Sequence, residues 1–129
     1  MNDADLPHLV IGACMTVHST LGPGLTREAY EECLAVELRD LEMDVQRGLP
    51  LSFDYRGRRI QAAARLDFVI HDRLLLQVLA QEEITALDKL RFESHLRLSH
   101  LRSGVLVNFN VSQLRKGIHR IILKRKDPV

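Results

Sequence analysis

The sequence predicts an α/β domain in which helices flank a mixed β-sheet, and three observations lead to this prediction. Apolar residues recur at helical spacing in residues 6–21 and again after Thr26. From Leu49 to Ala80 the apolar residues alternate with polar ones or run together, as in half-buried and central strands. Helical spacing returns at Thr85, and a further apolar run follows. The predicted order is therefore ααβββαβ, then a short helix and a C-terminal strand.

Two helices open the chain. The first begins near Asp5, which can cap it, and ends at Gly22-Pro23-Gly24, because proline and two glycines cannot continue a helix. Thr26 is a good N-cap for the second helix, which is expected to run to about Glu42.

Three strands are expected next, over residues 49–55, 58–70 and 74–80, with Arg56-Gly57 as the first turn. The last two strands are apolar on both faces, as central strands are. Asp67 lies inside one of them and Gln77 inside the other. A carboxylate inside a buried strand is costly unless a partner or a metal ion compensates its charge, so this pair of strands is the centre of the functional question.

Another helix is expected over residues 85–102, with its apolar seam at Leu87, Leu90, Ser94, Leu98 and Leu101 and its end at Gly104. A buried strand over residues 105–109, a short helical turn over 112–116 and a last strand over 118–124 complete the sheet. The last strand is a candidate sheet edge. An exposed edge favours strand pairing with another chain.

Length and composition indicate one soluble domain over residues 1–129. The chain is 46% hydrophobic and 27% charged, and its net charge of +1 excludes a strong overall field for nucleic acid or membranes. A basic tail occupies about residues 124–129. Cys14 and Cys33 lack metal-site spacing, so we expect free thiols. With neither a signal peptide nor a membrane-length apolar run, a cytoplasmic protein is expected.

Several short sequence motifs follow one another along the chain: Ile11-Gly12-Ala13, Leu21-Gly22-Pro23-Gly24-Leu25, Tyr30-Glu31-Glu32, Arg65-Leu66-Asp67, Val105-Leu106-Val107-Asn108-Phe109 and Gly117-Ile118-His119-Arg120-Ile121. Together they resemble the GxxExxY family of the PD-(D/E)XK nuclease superfamily, over about residues 8–123. The resemblance implies a restriction-endonuclease-like fold. In active members it also implies Mg²⁺ held between an Asp and a Glu on adjacent strands, with a Lys two residues after the Glu.

The resemblance places most of that site on residues that differ from the pattern. The strand aspartate matches Asp67, but the Glu-x-Lys pair falls on Gln77 and Leu79. The glutamate of the GxxExxY motif, after which the family is named, falls on Arg27. The glutamine that the family usually carries on its later helix falls on Arg91. Mg²⁺ requires several oxygen ligands, so we expect no metal cofactor, with Asp67 as the ligand if there is any. We hypothesise that Arg27 instead pairs with Asp67, since a guanidinium holds a carboxylate well.

The function expected from this set is a catalytically inactive nuclease-like domain that binds a protein partner or assembles with itself. A first alternative is a Mg²⁺-dependent nuclease rebuilt on Asp67 and Gln77 with a migrated acid, Glu28 or Glu82. A second is a protein that binds nucleic acid without cleaving it. The basic residues that would contact phosphates in that case are Arg56, Arg58 and Arg59 at a hairpin and Lys124, Arg125 and Lys126 in the tail.

Overall fold

A computed structural model describes residues 5–61 and 64–124 of the chain. Its helices are α1 (Asp5–Leu21), α2 (Arg27–Asp40) and α3 (Ala86–Leu98), with a single 3₁₀ turn at Leu114–Gly117. Thr26 caps α2 by accepting a hydrogen bond from the Ala29 amide, as predicted. Thr85 and Asp88 form a capping box at the start of α3. None of these helices is long and apolar enough to span a membrane.

The strands are β1 (Val45–Pro50), β2 (Phe53–Tyr55), β3 (Arg58–Ile60), β4 (Arg65–Ile70), β5 (Leu74–Leu79), β6 (Ser103–Asn108) and β7 (Ile118–Ile122). Five of them form one sheet in the order β1-β4-β5-β6-β7, and β2 and β3 form a separate two-stranded sheet. Only the β5–β6 pair is parallel. The predicted α/β mixed sheet is thus confirmed, and the predicted C-terminal strand lies at its edge.

The boundaries correct the prediction at three places. The expected strand over 49–55 is two strands, because Leu51 turns into the core between β1 and β2. The expected strand over 58–70 appears as β3 and β4. Gly104 does not end α3 but lies inside β6, where an added Cβ would meet Phe92 Cζ at 2.6 Å.

Two apolar clusters cover the two faces of the sheet. The first joins α1 and α2 to the sheet through side chains such as Val10, Tyr30, Leu34 and Phe68. The second joins α3 to the opposite face, and its helical members are Phe92 and Leu96. The predicted α3 seam is wrong at its start, where Leu87 and Leu90 are 59% and 64% exposed, whereas its later members Leu98 and Leu101 pack against the second cluster. A turn at residues 71–72, both with positive φ, joins β4 to β5 and places Asp67 opposite Gln77.

Candidate functional site

One open cavity of about 230 Å³ brings together the residues that the sequence singled out. It lies where β4 begins and β5 ends, between the start of α2 and one face of α3. Its lining includes all four predicted site positions, Arg27, Asp67, Gln77 and Leu79, and also Arg91. Residues far apart in the sequence therefore meet where the resemblance placed a nuclease site.

The strands β4 and β5 separate at this cavity, and side chains replace their backbone ladder. Pairing stops at Phe68 with Leu76. The Gln77 side chain then bridges the gap: its Oε1 accepts from the Asp67 amide at 2.5 Å, and its Nε2 donates to the Arg65 carbonyl at 3.1 Å. The Val78 amide donates to Asp67 Oδ2 at 2.9 Å. Both ends of the Gln77 amide and one Asp67 oxygen are thus already used by the protein.

The cation in contact with Asp67 is Arg65, two residues earlier on the same strand. Arg65 Nη1 lies 3.3 Å from Asp67 Oδ1 and 3.2 Å from Glu31 Oε1. Both carboxylate side chains are only 4% exposed, whereas the Arg65 side chain is 47% exposed. One guanidinium nitrogen therefore bridges two buried acids and reaches them from the solvent side.

The predicted ion pair between Arg27 and Asp67 is wrong, because the arginine that contacts Asp67 is Arg65. Arg27 lines the cavity, but the carboxylate it contacts is that of the neighbouring Glu28, at 3.9 Å. Its charge still acts on Glu31, which lies one helical turn further along α2. Arg65 takes the bridging position because it is two residues from Asp67 on one strand, which places both side chains on the same face.

Glu31 is a site residue that the sequence interpretation assigned no role. It is 3% exposed and shares the Arg65 guanidinium with Asp67. Burial raises the pKa of Glu31, the Asp67 charge raises it further, and Arg65 and Arg27 only partly offset this. Burial and the Asp67 charge thus both disfavour the ionised form of the Glu31 carboxyl. The four-residue spacing from Arg27 places both side chains on one face of α2, but it does not show that Glu31 is the buried acid.

Helix α3 contributes Asp88, Arg91 and His95 to the cavity from one face of the helix. Burial alone would raise the pKa of Asp88, but hydrogen bonds from Thr85 and Gln81 and the charge of Arg91 lower it below its ordinary value. Burial, and then the charge of Arg91, lower the pKa of His95. Asp88 is committed to the capping box and to Arg91, whose Nη1 lies 3.6 Å away.

The donor set does not fit a Mg²⁺ site. Asp67 has one oxygen bonded to Val78 and the other at Arg65, and Glu31 shares that same guanidinium. Leu79 stands where the resemblance expects the lysine. Across residues 5–61 and 64–124, the structure contains no group of three or more acidic, histidine or cysteine side chains arranged to hold a metal ion.

The remaining predicted positions that the structure describes lie outside this cavity. Glu28 has a side chain that is 73% exposed, and Glu82 lines a different cavity with Lys89 and His119. Three predicted phosphate contacts, Arg56, Arg58 and Arg59, are exposed on the two-stranded sheet. Lys124 is also exposed, while Arg125 and Lys126 lie outside the described residues.

Comparison with known families gives one match. A family model described as the PD-(D/E)XK nuclease superfamily matches residues 4–121, which is nearly the whole chain. The curated proteins and the solved structures gave no significant match. The match agrees with the mixed sheet flanked by helices. The GxxExxY assignment within that superfamily stays a prediction.

Proposed function

The chain belongs to the PD-(D/E)XK nuclease superfamily, and we propose that it is a catalytically inactive member that acts by binding. The observation that carries this proposal is the position of Arg65. Its guanidinium lies 3.2 Å from Glu31 and 3.3 Å from Asp67, and Asp67 is the strand aspartate of the nuclease pattern that this chain keeps. A fixed protein cation thus supplies the charge compensation that a nuclease obtains from its metal ion.

The other changes at the site support the same proposal. A metal ion activates water and stabilises charge on the phosphate in this class of reaction. The Gln77 amide is bonded to the β4 backbone at both ends, and as a neutral group it offers a metal ion no negative charge. Leu79 provides no charge at all. Metal-dependent cleavage would therefore require Arg65 to move away from the two acids and several additional metal ligands to take its place.

A second candidate function is nucleic-acid binding without cleavage, and the cavity's arginines favour it. Arg27, Arg65 and Arg91 all line the cavity and have side chains between 44% and 54% exposed. A guanidinium binds a phosphate through two parallel hydrogen bonds. In a plot of the logarithm of the binding constant against the logarithm of the salt concentration, such binding would have a slope of about −0.9 for each phosphate contacted. Arg91→Gln would make this slope less steep.

A cleavage assay tests the proposal. Purified protein is incubated with single-stranded DNA, double-stranded DNA and RNA in Mg²⁺ and in Mn²⁺, beside Asp67→Asn. Asp72→Asn, a carboxylate change in the exposed turn after β4, is the matched control. We expect the native protein and both variants to show the same background. Cleavage that Asp67→Asn abolishes and Asp72→Asn retains would refute the proposal and establish the rebuilt nuclease.

A further inference from the structure

Among residues 5–61 and 64–124, no strand pairs with the outer side of strand β7. It is the last strand of the five-stranded sheet, and all five of its residues pair with β6. The Leu123 amide donates to the Arg102 carbonyl at 2.7 Å in the same register. Since hydrogen-bonded pairs alternate along an antiparallel ladder, Ile121 and His119 face β6 in the same way. The N–H and C=O groups of Arg120 and Ile122 therefore point away from the sheet.

The opposite edge of the sheet is built differently. In β1, Gly48 has a φ of +63° and interrupts the ladder between the pairs of Arg47 and Leu49. The strand also ends in Pro50, which has no N–H to donate. Distorted backbone and proline are common ways to block edge pairing. Strand β7 has neither proline nor a residue with positive φ, and the charge that it carries against edge pairing is that of Arg120.

We propose that β7 pairs antiparallel with β7 of a second copy of this chain, which joins the two sheets into one of ten strands. An antiparallel pair of identical strands is self-complementary and closes with two-fold symmetry. Main-chain hydrogen bonds of Arg120 and Ile122 hold the two strands together. This inference names the partner in the binding role proposed above, and in that respect it rests on the proposed function.

Charge selects the register. If Arg120 stood opposite its own copy, two like charges would lie side by side, which is destabilising. Moving the second strand by two residues places Arg120 opposite Ile122 of the other copy. The two-fold axis then passes through Ile121, and the two Ile121 side chains meet as a non-hydrogen-bonded pair, where side chains are closest. Ile122, which is 60% exposed, gains the aliphatic stem of Arg120 as a neighbour.

The first test measures mass in solution. Light scattering of the full chain at about 100 µM is expected to give twice the 14.7 kDa of one chain. Arg120→Pro removes an N–H that points outward, so it should leave the β6 ladder intact and shift the mass to that of a monomer. Arg120→Ala is the matched control and should remain dimeric. A monomeric native protein, or a dimer that the proline leaves unchanged, would overturn the inference.

The second test reports the register and does not depend on how the proline variant folds. In a Cys33→Ser background, Ile121→Cys places two thiols opposite each other at a separation that a disulfide spans. Mild oxidation should cross-link this variant almost completely. Arg120→Cys, whose thiols would lie two residues apart along the ladder, should cross-link at least about tenfold more slowly. Faster cross-linking at position 120 would overturn the register.

The two proposals fail separately. None of these substitutions touches the cavity at Asp67, so each variant can also be assayed for cleavage. A native protein that is monomeric and does not cleave would contradict the pairing of β7 but not the proposed loss of catalysis. A native protein that is dimeric and cleaves would contradict the loss of catalysis but not the pairing of β7.

Discussion

Replacing Arg65 by alanine should destabilise the fold through the two acids it leaves behind. In the native protein one guanidinium nitrogen lies within 3.3 Å of both Glu31 and Asp67, and both carboxylates are buried. Breaking a buried pair costs about 3–5 kcal/mol, whereas exposed pairs contribute about 0–1 kcal/mol. Because Arg65 itself is about half exposed, we expect Arg65→Ala to lose about 2–3 kcal/mol, between these limits.

Urea unfolding monitored by circular dichroism measures this loss, with Arg59→Ala as the control. Arg59 also pairs with an acid, Asp54 at 3.2 Å, but both side chains are exposed, so its loss should be under about 0.5 kcal/mol. The vacated site should then respond to cations. Mn²⁺ should stabilise Arg65→Ala more than the native protein, since it binds only the folded acids. Equal losses in the free energy of unfolding for the two variants, or no added effect of Mn²⁺, would show that Arg65 does not compensate the charge of the two buried acids.

Three further outcomes follow from the structure. Because the pKa of Glu31 is raised in the folded state, the contribution of Glu31 to native stability should fall as pH rises above the ordinary value of 4.5 and through the raised pKa, and urea unfolding of Glu31→Gln across this range should lack that contribution. Gln77→Glu loses the donor to the Arg65 carbonyl and adds a third acid, so it should cost about 1–3 kcal/mol at neutral pH and less in acid. Gly104→Ala should cost about 1–3 kcal/mol, measured as a lower urea midpoint, because its Cβ would meet Phe92.

Local signals in the sequence were reliable where local chemistry decides the structure. Thr26 and Thr85 start helices because their hydroxyls accept hydrogen bonds from amides three residues later. The face of α3 was not predictable in this way. Its apolar residues are spread around the helix, and Phe92 and Leu96 are buried only because the sheet lies on their side.

The candidate site was half predictable. Asp67 and Gln77 stood out because each is polar inside an apolar strand, and the structure places them in contact. The partner of Asp67 was missed because the resemblance drew attention to Arg27. Strand alternation would have indicated Arg65, since it places Arg65 and Asp67 on the same face of β4. Glu31 was missed because it is one of two adjacent acids, and only the packing of α2 on the sheet determines which of them is buried.

Calorimetric titration of the native protein with Mn²⁺ shows whether Arg65 has taken the place of a metal ion. The Arg65 guanidinium already lies within 3.3 Å of both Glu31 and Asp67. We therefore expect native protein and Asp67→Asn to give the same heats, without a saturable site. A saturable Mn²⁺ site in the native protein that disappears in Asp67→Asn would mean that a metal ion displaces Arg65 and that the catalytic centre still assembles.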